Sequence, residues 1–254
     1  MTIKGKKRVS DLCGLVGLTL LLMSTVAVSD DSLVENADTA ESISMTSMTD
    51  YALKLALIRG HLWVANELVV QGHLALGGKH SKHPAQEVYK ELEPLFESIN
   101  SVGFADKLEL MAISLQNKEV EDFQSAYLDV ITAINLIYPK MSLTVSQELE
   151  VTLGLLKQAL TEYKVGVIEG AVVDLQEYQD ARGFTHIAEE SIRLMGDNAQ
   201  TQIDKRYLLK LQAQFSTVYK LWPSLIGGVA IESDPDPLSE LVQRVKKAKR
   251  SYGP

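Results

Sequence analysis

The sequence predicts an all-α protein built as an up-and-down helical bundle. Three observations predict it. From Met48 onward apolar residues recur at the 3.6-residue period of a helix, strand-like alternation of β-branched residues is absent, and Gly and Pro fall between the periodic runs.

The elements follow in order. Residues 1–29 read as a signal peptide. Lys4, Lys6, Lys7 and Arg8 precede an apolar run of 18 residues, and Ala27 and Ser29 supply the small side chains of a cleavage site before Asp30. An uncleaved anchor is the alternative, since 18 apolar residues just span a bilayer. Cleavage removes Cys13, the single cysteine, and with it disulfide and thiolate chemistry. It also removes four basic residues and one acidic residue, leaving 21 Lys/Arg against 32 Asp/Glu, a net charge of −11. An acidic chain is a poor partner for nucleic acid or anionic lipid. Residues 30–47 are polar and aperiodic and read as a flexible lead-in.

The bundle is expected over 48–230, in candidate halves of about 48–140 and 144–223. Helices are predicted over 48–76, 84–99, 104–116, 119–137, 144–169, 174–195 and 198–221. Pro84 suits a first helical turn, and Thr144 and Asp174 are N-cap candidates. Residues 231–254 hold a loop and a basic amphipathic helix. Its apolar stripe, Leu238, Leu241, Val242 and Val245, docks either on the bundle or on a partner. Gln86-Glu87 with Tyr138-Pro139, and Gln176-Glu177 with Trp222-Pro223, make the two halves a candidate duplication. On that view the loop "HLALGGKHSKH" is an insertion in the first half, with Gly77 and Gly78 free to fold it back.

Helical wheels place three polar residues on apolar stripes: His61, Tyr163 and Glu177. Asp180 flanks the stripe of Glu177. A buried carboxylate is costly unless it is paired or coordinating. The three therefore form either a hydrogen-bonded core cluster, with Glu177 alternatively half in water at the bundle end, or part of a metal site. In the loop, His80 and His83 stand three apart and Glu87 follows four later, so that they can converge at one helix start. Two imidazoles and a carboxylate suit Fe, Cu, Zn or Mn. The candidate metal residues are His61, His80, His83, Glu87 and Glu177. "HIAE" sets His186 and Glu189 three apart, but His186 lies opposite Phe184 and Ala188 and is expected to be exposed.

"EYQDARGF" at 177–184, "GHL" at 60–62 and "HPAQEVY" at 83–89 together resemble exported bacterial helical proteins. They are similar to the extracytoplasmic helical domains attached to some bacterial iron permeases. More distantly they resemble imelysin-like periplasmic proteins, whose hallmark is GxHxxE; here "GFTHIAE" has one residue more between Gly183 and His186. The resemblance implies a periplasmic bundle with metal traffic and carries over no catalytic residue.

No G-x-S-x-G, HExxH, Walker or dinucleotide motif is present, and no enzyme activity is expected. The expectation is an exported protein, periplasmic or secreted, that binds or handles a transition metal, iron or copper first, with a protein partner in the periplasm or inner membrane. The alternative is a scaffold whose polar core cluster holds no metal.

Overall fold

The computed structural model describes residues 35–83, 88–228, 231 and 234–253. Residues 1–29, read from sequence as a signal peptide, lie outside them. The first helix, α1 (Glu35–Val70), begins inside the segment expected to be irregular, so residues 35–47 are helical. A turn at Gly72 follows, and then α2 (Leu74–His83), α3 (Glu93–Ser98), α4 (Ala105–Asn117) and α5 (Val120–Ile137). The second part holds α6 (Val145–Gly166), α7 (Leu175–Asp197), α8 (Gln202–Gln212), α9 (Phe215–Val218) and α10 (Asp236–Ser251). A two-strand hairpin, β1 (Val167–Ile168) and β2 (Ala171–Val172), joins α6 to α7. The fold is an all-α bundle, and among the described residues no helix is long and apolar enough to cross a membrane.

Local chemistry sets several boundaries. Thr144 caps α6 in a capping box: its hydroxyl accepts from the Gln147 backbone, and the Gln147 side chain accepts from the Thr144 backbone. Asp174 accepts from the backbone of Gln176 and Glu177 and starts α7. The helix expected to run on to 169 stops at Gly166, where the hairpin turns through Glu169 and Gly170 at positive φ. The helix expected over 198–221 is broken into α8, α9 and a 3-10 turn.

The largest correction concerns "LALGGKHSKH". It is the helix α2, not an inserted loop. Two glycines weaken a free helix, so packing must compensate. The packing is visible: α2 lies on α1 and α4. A Cβ on Gly77 would stand 2.9 Å from the Ala65 carbonyl oxygen and 2.8 Å from Val69. Gly77 therefore serves close helix contact rather than loop freedom. Pro84 and the helix start expected there lie outside the described residues.

The core is formed where α7 lies on α6, α1 and α8. α7 and α1 cross at two glycines. A Cβ on Gly183 would meet the Gly60 carbonyl oxygen at 2.5 Å, and one on Gly60 would meet the Phe184 ring at 2.5 Å. No larger residue fits there without separating the helices. The stripe of α10 is buried against α6, α8 and α9. Lys249 pairs with Glu150, and Ser146 Oγ donates to the Gly253 carbonyl at 2.6 Å. The C-terminal helix is thus a member of the bundle, not a free docking arm.

Candidate metal centre

The glycine crossing places His61, next to Gly60 on α1, against Asp180, three residues before Gly183 on α7. His61 Nδ1 lies 2.7 Å from Asp180 Oδ1. From the third side, α2 brings His80 Nδ1 to 2.9 Å from the same oxygen. His61, His80 and Asp180 are all buried, and one ligand atom from each lies within 4.8 Å of the others. Burial alone would raise the Asp180 carboxyl; the charge and hydrogen bonds of His61 and His80 overcome it and hold the group well below the usual carboxylate range. The Phe184 ring packs edge-on to His61 at 5.0 Å and fixes its plane.

Gln179 completes the arrangement. Its Nε2 donates to the Leu225 carbonyl at 2.8 Å. Its Oε1 therefore faces His80 Nε2, 2.7 Å away.

A cavity of about 220 Å³ adjoins His61 and Asp180 and is also lined by Glu162, Glu177 and Phe184. Among the described residues no lysine or arginine lines it. The Glu177 carboxyl is pushed up to about 8, first by its hydrogen bond to Glu162, then by burial and by the charge of Glu162. Two carboxyls in hydrogen-bond contact share one proton, because both cannot ionise cheaply.

The five residues singled out from sequence fare differently. His61 and His80 meet at one carboxylate. Glu177 is half-buried on the wall of the adjoining cavity, and the fully buried acid of α7 is Asp180 instead. The His83 side chain and Glu87 lie outside the described residues. Tyr163 is buried, and its hydroxyl donates to the Leu221 carbonyl at 3.4 Å. His186 is not exposed: it stacks on Trp63 with centroids 4.3 Å apart. Burial, with Arg182 and Arg59 nearby, lowers His186 to about 4. Glu189 accepts from the Tyr219 hydroxyl rather than standing in solvent.

Asp180 and Gln179 are the residues a single-stripe wheel misses. α7 is covered on several sides, so its buried arc takes in Tyr178, Gln179, Asp180 and Ala181 in succession. The usable signal was Gly183. A glycine inside a helix marks close approach by a neighbour, and the residue three before it faces the same neighbour.

The donor set fits a first-row transition ion. Two imidazole nitrogens and one carboxylate oxygen are borderline ligands with positions left over. Bonds of about 2.0–2.2 Å to one ion put neighbouring donors about 3 Å apart, so the contacts of 2.7 and 2.9 Å need only a small spread.

Residues 140–253 match the sequence family of an iron permease-associated 4-helix bundle domain. That segment covers less than half of the chain and spans α6 through α10. No curated protein and no solved structure matches the chain. The match supports the likeness to helical domains of iron permeases and lends none to the imelysin likeness. Asp180, Gln179, Glu162 and Glu177 lie inside the matched segment; His61 and His80 lie outside it.

Proposed function

We propose that this chain is an exported iron-handling protein that binds one transition-metal ion through His61, His80 and Asp180. The carrying observation is the convergence of three donor atoms, from α1, α2 and α7, in one buried place. The likeness of residues 140–253 to an iron permease-associated domain favours iron over copper or zinc. The cavity lined by Glu162 and Glu177 supplies an access route that attracts cations. The role is binding and release, without catalysis. The partner expected is a membrane permease, met outside the cytoplasm after the leader is removed.

The test is anaerobic titration with Fe(II), with Zn(II) as a redox-inert comparison. Wild type takes up one ion per chain, and His61→Ala with His80→Ala together abolishes uptake. Equal uptake by that variant sinks the site.

A second reading has its own support. His61, Asp180, His80, Gln179 and Leu225 form a continuous hydrogen-bonded chain that closes without an ion. On that reading the protein is a scaffold and the cluster fixes helix packing. Titration then shows no uptake by wild type, while His80→Ala still destabilises the fold.

A further inference from the structure

We infer that Gln179 is the positioning residue of the site: it fixes the proton of His80 on Nε2 and so turns Nδ1 toward the ion. The inference rests on the metal-binding reading above.

The argument is one of donors and acceptors. A backbone carbonyl only accepts, so the amide group of Gln179 that meets Leu225 must be its NH₂. The Gln179 oxygen is then committed to His80. An oxygen facing His80 Nε2 at 2.7 Å requires an N–H on that nitrogen. His80 Nδ1 is left facing Asp180, where it offers either a second N–H or, with an ion between them, its lone pair. Metal-bound imidazoles are commonly held in this way, by an acceptor on the far ring nitrogen.

The acceptor that orients Gln179 is itself anchored. Trp222 Nε1 donates to the Tyr178 carbonyl, and the Tyr178 hydroxyl donates to the Ser224 carbonyl, each at 2.8 Å. The segment bearing Leu225 is therefore fastened to α7 at the residue before Gln179. Gln179 is itself 1% exposed, which leaves water little access to replace either bond.

The experiment uses the full chain loaded with Zn(II). A long-range ¹H–¹⁵N spectrum of wild type should show His80 bound through Nδ1 and protonated on Nε2. Gln179→Met keeps the length of the side chain and loses both bonds. It should lower Zn(II) affinity about 10–100-fold and expose the Nε2 proton to rapid exchange. Gln179→Glu keeps an acceptor for His80 but loses the N–H given to the Leu225 carbonyl, so it should lower Tm, keep Nδ1 as the ligand atom and lose less affinity than Gln179→Met. A structural role alone would lower Tm in both variants and leave affinity and ligand atom unchanged; that result overturns the inference. So does a wild-type spectrum with His80 bound through Nε2. Absence of Zn(II) uptake by wild type would instead remove the reading on which the inference rests.

Discussion

The N-terminal and C-terminal parts of the chain bring opposite chemistry to the same place. α1 and α2 contribute two imidazoles, while α6 and α7 contribute carboxylates and an amide. The segment that matches an iron permease-associated domain begins at residue 140, so it holds one of the three converging donors. A domain likeness over 140–253 therefore does not by itself describe a metal site in this chain. The candidate donors converge at the seam, where Gly60 and Gly183 let α1 and α7 touch and Gly77 lets α2 lie on α1.

The sharpest way to break this division of labour is to remove one imidazole. His80→Ala leaves the buried Asp180 carboxylate with one fewer partner and Gln179 with an unused acceptor. Loss of about 3–5 kcal/mol in urea unfolding is expected, with metal affinity down at least about 100-fold. The seam itself comes next. Gly183→Ala forces a Cβ to 2.5 Å from a backbone oxygen that cannot swing away. It should cost about 3 kcal/mol, and the widened seam should weaken metal binding although no ligand has changed.

A third test concerns the far side of the same seam, where Trp63 of α1 stacks on His186 of α7. The His186 pKa is depressed from 6.5 to about 4, so the folded protein holds this ring neutral where the unfolded chain protonates it. Its stabilisation is present above pH 6.5 and is lost as pH falls towards 4. His186→Phe keeps the stacking and should remove about 2 kcal/mol of that acid sensitivity, after allowance for partial solvent contact. The smallest effect is at the cavity. The Glu177 pKa is raised from 4.5 to about 8, so its stabilisation is complete below pH 4.5 and fades as pH rises through 8. Glu177→Gln should flatten that decline in the metal-free protein.

The seam also marks where sequence reading succeeds and fails. Thr144 and Asp174 were legible as caps because a cap is decided by residues within one turn. His61 was legible because it falls among Leu57, Ile58, Val64, Ala65 and Leu68 on the helical wheel, although α1 is buried on nearly every side. α2 was not: Gly-Gly-Lys-His-Ser has the local character of a loop, and contact with α1 and α4 overrides it. His80 was singled out as a loop ligand, yet it reaches the site from a helix. Glu177 was preferred over Asp180 because a wheel assumes one buried face, and α7 is covered on more than one. Which acid turns inward is decided by where Gly60 and Gly183 meet, a fact shared between two distant stretches of chain.

The most direct test is an anomalous-scattering crystal structure of the full chain loaded with Fe(II) under anaerobic conditions, collected at the iron edge. One peak is predicted, about 2.0–2.2 Å from His61 Nδ1, His80 Nδ1 and Asp180 Oδ1, with Gln179 Oε1 still accepting from His80 Nε2. A peak elsewhere, or no peak with the His61–Asp180–His80 contacts unchanged, would contradict the account.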